Sequence, residues 1–198
     1  MRRAVRTGVV LGVAGAVGVF FWLRTTESGR ITDQAARAAE ALGCGDIREL
    51  PSEGRAHLQG TQPLPEYKTT PATSGAHQPS PYQGSPVITT DVDPLLESTL
   101  VHNLEHGYVI MYYQPKGDDA LAPAVREQLA GLARGEDKVL LAPYPGLSKG
   151  TSLALAAWTR LQTCPSIPAD DGTAAVDVAQ GFIEQFRGGG EAPEPGGI

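Results

Sequence analysis

An uncharged apolar stretch near the N-terminus constrains the architecture of this chain more than any other feature. Residues Thr7–Leu23 read TGVVLGVAGAVGVFFWL, and as a helix they span roughly 26 Å, enough for a thin hydrocarbon core. Three arginines precede the stretch: Arg2, Arg3 and Arg6. Because positive residues stay on the cytoplasmic side, we expect a single-pass protein of the cell membrane, with residues 1–6 in the cytoplasm and the C-terminal domain extracytoplasmic.

A cleaved signal peptide is the alternative interpretation of this stretch. The apolar run ends on bulky residues, Phe20 to Leu23, and Arg24 follows directly. No small-residue cleavage site is present there, which favours an uncleaved anchor. Gly8 and Gly12 form a GxxxG pattern, which predicts close packing of two such helices and therefore an anchor-mediated homodimer.

The part of the chain beyond the anchor is acidic. Without the four arginines that flank the apolar stretch, 12 basic residues remain against 22 acidic ones. An acidic domain is repelled by nucleic acid and by anionic lipid headgroups. We therefore exclude nucleic acid as a partner and expect envelope proteins instead.

The chain has two cysteines, Cys44 and Cys164, one near each end of the predicted outer domain and neither in a CxxC motif. In an oxidising compartment such a pair is more often bonded than free, so we predict a disulfide. Two buried, unpaired thiols are the alternative.

Caps, breakers and periodicity divide the rest of the chain into a linker (residues 24–30), a domain (31–187) and a flexible tail rich in Gly, Pro and Glu (188–198). Asp93 and Pro94 begin a helix that Gly107 ends, and Thr61–Pro86 reads as a loop. The other predicted elements are helices at Ile31–Leu42, Asp119–Ala133 and Thr173–Arg187, strands at Tyr108–Tyr113 and Lys138–Ala142, and a strand or strand pair at Ser152–Thr163. The fold predicted is α+β, with helices packed on a small, mostly antiparallel sheet.

All four histidines fall within one quarter of the chain. His102 and His106 are four residues apart in VHNLEHG, which places both imidazoles on one face of the predicted helix, close enough to share a metal ion. His77, in the predicted loop, and His57 are candidates for a third and a fourth ligand. Glu105 and Asn103 are expected to orient the ligands rather than bind the ion. Imidazole suits several divalent transition metals, and we favour Zn or Cu(II).

Two other interpretations of the histidines stay open. HNLEH fits the H-x-x-E-H pattern of zinc peptidases, in which two histidines bind zinc and the glutamate activates water, so a zinc-dependent hydrolase is the enzymatic alternative. That motif normally lies in mid-helix, whereas Gly107 ends this helix at once. The third interpretation is a structural or interaction domain of the envelope without metal, in which the histidines stabilise a helix C-terminus or form hydrogen bonds in the core.

The chain resembles an uncharacterised bacterial family, domain of unknown function 3105, from about Arg55 to Pro195. VHNLEHG (Val101–Gly107) is the most specific match. Ala72 and Ala76 stand where the family pattern has prolines. The other matching residues are Gly54, His57, Tyr67, Thr73, Ser74, Gly75, His77, Gly84, Trp158 and the Phe182–Arg187 segment. The resemblance implies membrane attachment but no reaction.

Overall fold

The structure is a computed structural model that describes residues 32–196. The predicted cytoplasmic residues 1–6, the anchor Thr7–Leu23 and the linker lie outside the described residues. No helix among residues 32–196 has both the length and the apolar character needed to cross a bilayer. The elements in chain order are a helix over residues 32–41 (α1), Arg48–Glu49 (β1), Pro94–Glu105 (α2), Val109–Tyr113 (β2), Pro123–Gly135 (α3), Val139–Pro143 (β3), Leu153–Ala157 (β4), Arg160–Cys164 (β5) and Gly172–Phe186 (α4).

The described strands form one sheet in the order β1-β5-β4-β2-β3. Three of its pairings are antiparallel, and β2 pairs with β3 in parallel. The fold is therefore α+β as predicted, but the sheet is mixed. A parallel neighbour requires a crossover connection, which α3 provides between β2 and β3. The predicted strand or strand pair at Ser152–Thr163 is a hairpin that turns at Trp158 and Thr159, where Thr159 has a φ of 57°.

The sheet is buried on both faces, which explains the uninterrupted apolar run in β2. Val109, Met111 and Tyr113 face a core built with α1, α3 and α4. Ile110 and Tyr112 face a second core, formed with α2 and the loop that precedes it. Successive side chains of a strand point to opposite faces, so β2 separates the two cores. The histidines lie on the side of the second core.

Helix α2 begins and ends where the sequence predicts. The Asp93 carboxylate accepts a hydrogen bond from Leu96 N at 2.8 Å, and Pro94 occupies the first turn, where its missing N–H costs nothing. At the other end Gly107 has a φ of +78°, a conformation in which residues with a Cβ are strained. The last turn of α2 thus has fixed limits; it carries the candidates His102, Asn103 and Glu105, and His106 follows as the C-cap.

The predicted disulfide is confirmed: Cys44 and Cys164 are bonded. The bond joins the segment after α1 to the end of β5, and Gly45 N donates to Thr163 O beside it at 2.9 Å. Cys164 belongs to the core on the α3 and α4 side of the sheet. The disulfide therefore lies on the face opposite the histidines.

Candidate metal centre

The last turn of α2 places His102, Glu105 and His106 together, and all three are buried. The Nε2 atoms of His102 and His106 are 2.9 Å apart. This is the contact expected of residues i and i+4 on a helix when both rings lean to the same side.

The loop that precedes α2 brings His57 and His77 to the same place. His77 N donates to Ala56 O at 3.0 Å and Leu58 N donates to His77 O at 2.8 Å, so the two loop segments form a short parallel bridge. The loop around His77 is compact. Gly75 has a φ of +125°, and a Cβ there would lie 2.9 Å from the Tyr67 ring. The predicted loop Thr61–Pro86 contains no helix or strand, yet its Pro71–Gly75 segment is buried.

Glu105 lies among the imidazoles. Its Oε2 atom is 3.0 Å from His77 Nε2 and 3.7 Å from His57 Nε2. Donor atoms of His57, His77, His102 and Glu105 all lie within 4.8 Å of one another. His106 joins this group through His102. We refer to these five residues as the His–Glu cluster.

Three of the four histidines are anchored through Nδ1 to a backbone carbonyl. The acceptors are Gly75 O for His77 at 2.8 Å, Gln78 O for His102 at 2.7 Å and Glu194 O for His106 at 3.0 Å. A carbonyl oxygen only accepts, so Nδ1 carries the proton in each ring. In the neutral imidazole, Nε2 is then the atom with the free lone pair. Such an outer hydrogen bond fixes the tautomer and the orientation of metal-binding histidines.

Burial favours the neutral form of two of the imidazoles, those of His77 and His102. Desolvation lowers the pKa of His77 below its ordinary value, against the opposing effect of the Gly75 hydrogen bond and of Glu105. Desolvation likewise lowers the pKa of His102, and the neighbouring histidines lower it further. Neutral imidazole is the form that binds a metal ion.

The tautomers make the His102–His106 contact informative. With both Nδ1 atoms protonated, the two Nε2 atoms face each other lone pair to lone pair at 2.9 Å. Two such atoms repel unless a proton or a cation lies between them. Nitrogens of two imidazoles bound to one ion at 2.0–2.1 Å in tetrahedral geometry lie about 3.3 Å apart. The observed pair is close to this separation.

The sequence suggested that Asn103 orients the histidines, but its side-chain amide forms hydrogen bonds with the backbone of Tyr82. Its Oδ1 accepts from Tyr82 N at 2.8 Å and its Nδ2 donates to Tyr82 O at 2.9 Å. Asn103 therefore holds the loop at Tyr82 against α2. Glu105 also differs from expectation, since its carboxylate lies among the candidate ligands rather than outside them. The reason is that the loop brings His57 and His77 to its side of α2.

Residues 188–196, which we refer to as the C-terminal strap, also contribute to the site. Composition predicts a flexible tail here, but the strap turns back against the end of α2 and Ala192 is buried in the second core. Its contacts are Gly188 N to Gly107 O at 2.8 Å, Glu194 N to Glu105 O at 3.0 Å, and Glu194 O with His106 Nδ1.

Lys138 connects the strap to the helix. Its Nζ donates to His106 O at 3.0 Å and to Pro195 O at 2.8 Å. Sequence reasoning missed the strap because its contacts are made mainly by backbone carbonyls and amides, which every residue has. The Gly- and Pro-rich composition of the segment therefore gives no signal for them.

The fold and the site together describe an α+β domain with a largely buried cluster of histidines and one carboxylate. The family model described as protein of unknown function (DUF3105) matches residues 57–198, so the chain belongs to that family. The match begins at His57 and includes every residue of the His–Glu cluster and the strap. No curated protein and no solved structure matches the chain.

Proposed function

We propose that this domain binds a divalent transition-metal ion in the His–Glu cluster. The ligands are His77, His102 and His106 through Nε2, and Glu105 or His57 completes the shell. The observation that carries the proposal is the 2.9 Å contact between the Nε2 atoms of His102 and His106 while both Nδ1 atoms are anchored to carbonyls. An ion between the lone pairs turns a repulsion into two bonds.

A shared proton is the competing explanation for this contact. It requires one of the two rings to be a buried imidazolium, and desolvation opposes that state at His102. Donors bound at 2.0–2.1 Å to one ion lie at most about 4.2 Å apart. A bound ion therefore draws the donor atoms of His57, His77, His102 and Glu105, now within 4.8 Å of one another, slightly closer. Nitrogen and carboxylate donors favour Zn(II) or Cu(II) over soft Cu(I).

The location of the domain is part of the proposal. The apolar stretch Thr7–Leu23, with arginines before it, supports a single-pass anchor whose C-terminal domain lies outside the cytoplasm. The Cys44–Cys164 bond is consistent with a location outside the cytoplasm, because disulfides persist in oxidising compartments. The domain then handles a metal, or supports assembly of envelope proteins, close to the membrane surface.

A zinc-dependent hydrolase is the second candidate, and the position of Glu105 favours it. With zinc on His102, His106 and His77, this carboxylate is placed to take a proton from a bound water. Metal handling needs no substrate site beside the carboxylate, and it therefore accounts for the geometry with fewer assumptions.

The test is the metal content of the full chain, purified in detergent without chelators. We expect about one ion per chain in the wild type and a loss of the ion in His102→Ala and His106→Ala. Glu105→Gln is compared with Glu127→Gln, a matched carboxylate on α3 that pairs with Arg134 at the surface. A wild type without stoichiometric metal would overturn the proposal. Hydrolysis that requires Glu105 but not Glu127 would establish the second candidate.

A further inference from the structure

His57 differs from the other histidines of the cluster in its exposure. Its side chain is 42% exposed, whereas that of His77 is 0% exposed and the residues His102 and His106 are 4% and 7% exposed. Any ion or donor that approaches the cluster from solvent therefore meets His57 first.

His57 also differs in how its ring is held. His77, His102 and His106 each donate from Nδ1 to a carbonyl. Within residues 32–196, the ring stacking and the ion-pair approach of His57 involve other members of the cluster. It stacks on His102 at 4.9 Å between ring centroids, meets His77 edge-on at 5.0 Å, and lies 3.7 Å from Glu105. Within the part of the chain that the structure describes, no hydrogen bond from outside the cluster fixes the orientation of this ring.

The backbone of His57, in contrast, is held in place. The bridge to His77 fixes the chain on both sides of it, through Ala56 O and Leu58 N. The ring can rotate about its side-chain bonds while its attachment point stays beside the cluster. A ligand that leaves and returns without disturbing the fold requires a fixed backbone and a ring that can rotate.

We propose that His57 is the exchangeable ligand of the metal site, over which the ion enters and leaves; this inference rests on the proposed metal binding. In the exchange step the bond from the ion to His57 Nε2 breaks, and a bond to a nitrogen or oxygen donor of the acceptor forms. No electrons are transferred, and His77, His102 and His106 hold the ion until the acceptor supplies further donors. The acceptor is an envelope protein or a chelator with at least two such donors.

The kinetics of metal transfer test this assignment. The full chain in detergent is loaded with Zn(II) and mixed in a stopped-flow instrument with increasing concentrations of 4-(2-pyridylazo)resorcinol, a chromophoric chelator with nitrogen and oxygen donors. In the wild type the transfer rate saturates at high chelator concentration, because His57 must leave the ion before the chelator can bind to it. In His57→Ala the rate rises linearly with chelator and exceeds the wild-type plateau by about tenfold or more, since changes at a binding site act mainly on dissociation.

The affinity for Zn(II) provides the second measurement. The matched variant is His77→Ala, because His77 is the residue that forms the parallel bridge with His57. We expect His57→Ala to weaken Zn(II) binding much less than His77→Ala. Equal losses of affinity, or a saturating rate that is unchanged in His57→Ala, would overturn the role of His57 while leaving metal binding intact. A wild type that binds no Zn(II) would instead overturn the proposed function together with this inference.

Discussion

The Nε2 atoms of His102 and His106 lie 2.9 Å apart, and each ring donates from Nδ1 to a carbonyl oxygen. The carbonyls come from different parts of the chain, Gln78 in the loop before α2 and Glu194 in the C-terminal strap. Two segments remote in sequence thus set the tautomers of neighbouring rings. This arrangement aims two lone pairs at one point.

Metal binding should stabilise the folded domain. At a free Zn(II) concentration about 100 times the Kd, binding adds about 2.7 kcal/mol to the free energy of unfolding. For a domain of this size, the increase in Tm is roughly 5–10 °C. Differential scanning calorimetry of the full chain, before and after EDTA treatment, measures it. The increase should disappear in His102→Ala and persist in Glu127→Gln; equal increases in both variants would show that the ion binds elsewhere.

Removal of the C-terminal strap should weaken metal binding through His106. A chain that ends at Arg187 loses the carbonyl of Glu194, which anchors His106 Nδ1. Loss of such an outer partner costs roughly 10–100-fold in metal affinity. We expect this loss in the wild-type background and no further loss in His106→Ala, whose weakened binding is measured at higher Zn(II) concentrations. Losses of the same size in both backgrounds would mean that the strap stabilises the fold without positioning the ligand.

A side-chain substitution tests the connection between the C-terminal strap and His106 without shortening the chain. Lys138→Met removes the hydrogen bonds that Nζ donates to His106 O and Pro195 O. We expect a smaller loss of Zn(II) affinity than in the truncated chain, because the bond from His106 to Glu194 O remains. Lys149→Met, at an exposed position in the turn before β4, is the matched control and should bind like the wild type in the same competition titration.

The bounds of α2 could be predicted from sequence because they depend on local chemistry. Asp93, Pro94 and Gly107 act on the backbone next to them, so the pattern of residue types contains the information. The disulfide could also be predicted from the sequence, since two cysteines allow only one pairing. The clustering of His57, His77, His102 and His106 in sequence also indicated a common site.

Other features depend on contacts between distant segments, which no local pattern encodes. The parallel bridge of His57 with His77 places these rings against Glu105 and makes the carboxylate part of the cluster. The parallel pairing of β2 with β3 depends on the path of α3 across the sheet. The position of Glu194 beside His106 depends on a backbone carbonyl, whose chemistry is the same at every residue.

The close approach of Gly107 to Gly188 should make Gly107→Ala costly. A Cβ at Gly107 would lie 2.9 Å from Gly188 Cα, in addition to the strain of a φ of +78°. Gly117→Ala is the matched control, because its φ is +90° and no atom lies within 4 Å of the added Cβ. We expect Gly117→Ala to cost about 1–2 kcal/mol of unfolding free energy, and Gly107→Ala roughly 1–3 kcal/mol more. Urea denaturation gives both values; equal costs would argue against a tight strap contact.

The disulfide should stabilise the domain without affecting the metal site. Replacing Cys44 and Cys164 by serine should lower the free energy of unfolding by about 2–5 kcal/mol. Zn(II) affinity should stay unchanged, because Cys164 packs in the core on the opposite face of the sheet from the histidines. Dithiothreitol should lower the urea midpoint of the wild type and leave that of the double variant unchanged. A large loss of affinity in the folded double variant would contradict the separation of the two faces.

Glu97, two turns before Glu105 on α2, should make stability depend on pH. Its Oε1 accepts hydrogen bonds from Ala72 N at 2.9 Å and from Tyr144 Oη at 2.8 Å. Desolvation by burial nevertheless raises its pKa above the ordinary value of 4.5. Tyr67, Tyr112 and Tyr144 stay protonated nearby, because burial also raises their pKa values. Among these four groups, we therefore assign the pH dependence of stability to Glu97.

The direction of the effect follows from the raised pKa. Below pH 4.5 the carboxyl is protonated in the folded and the unfolded chain, and as pH rises the unfolded chain ionises first, so stability is lost up to the folded pKa. Glu97→Gln keeps an oxygen to accept both hydrogen bonds but cannot ionise. We expect its free energy of unfolding, relative to the wild type, to increase as pH rises from about 4.5 and then to level off. Urea denaturation at several pH values measures this difference, with Glu127→Gln as an exposed control; a difference that falls with pH would mean that the charged carboxylate stabilises the fold.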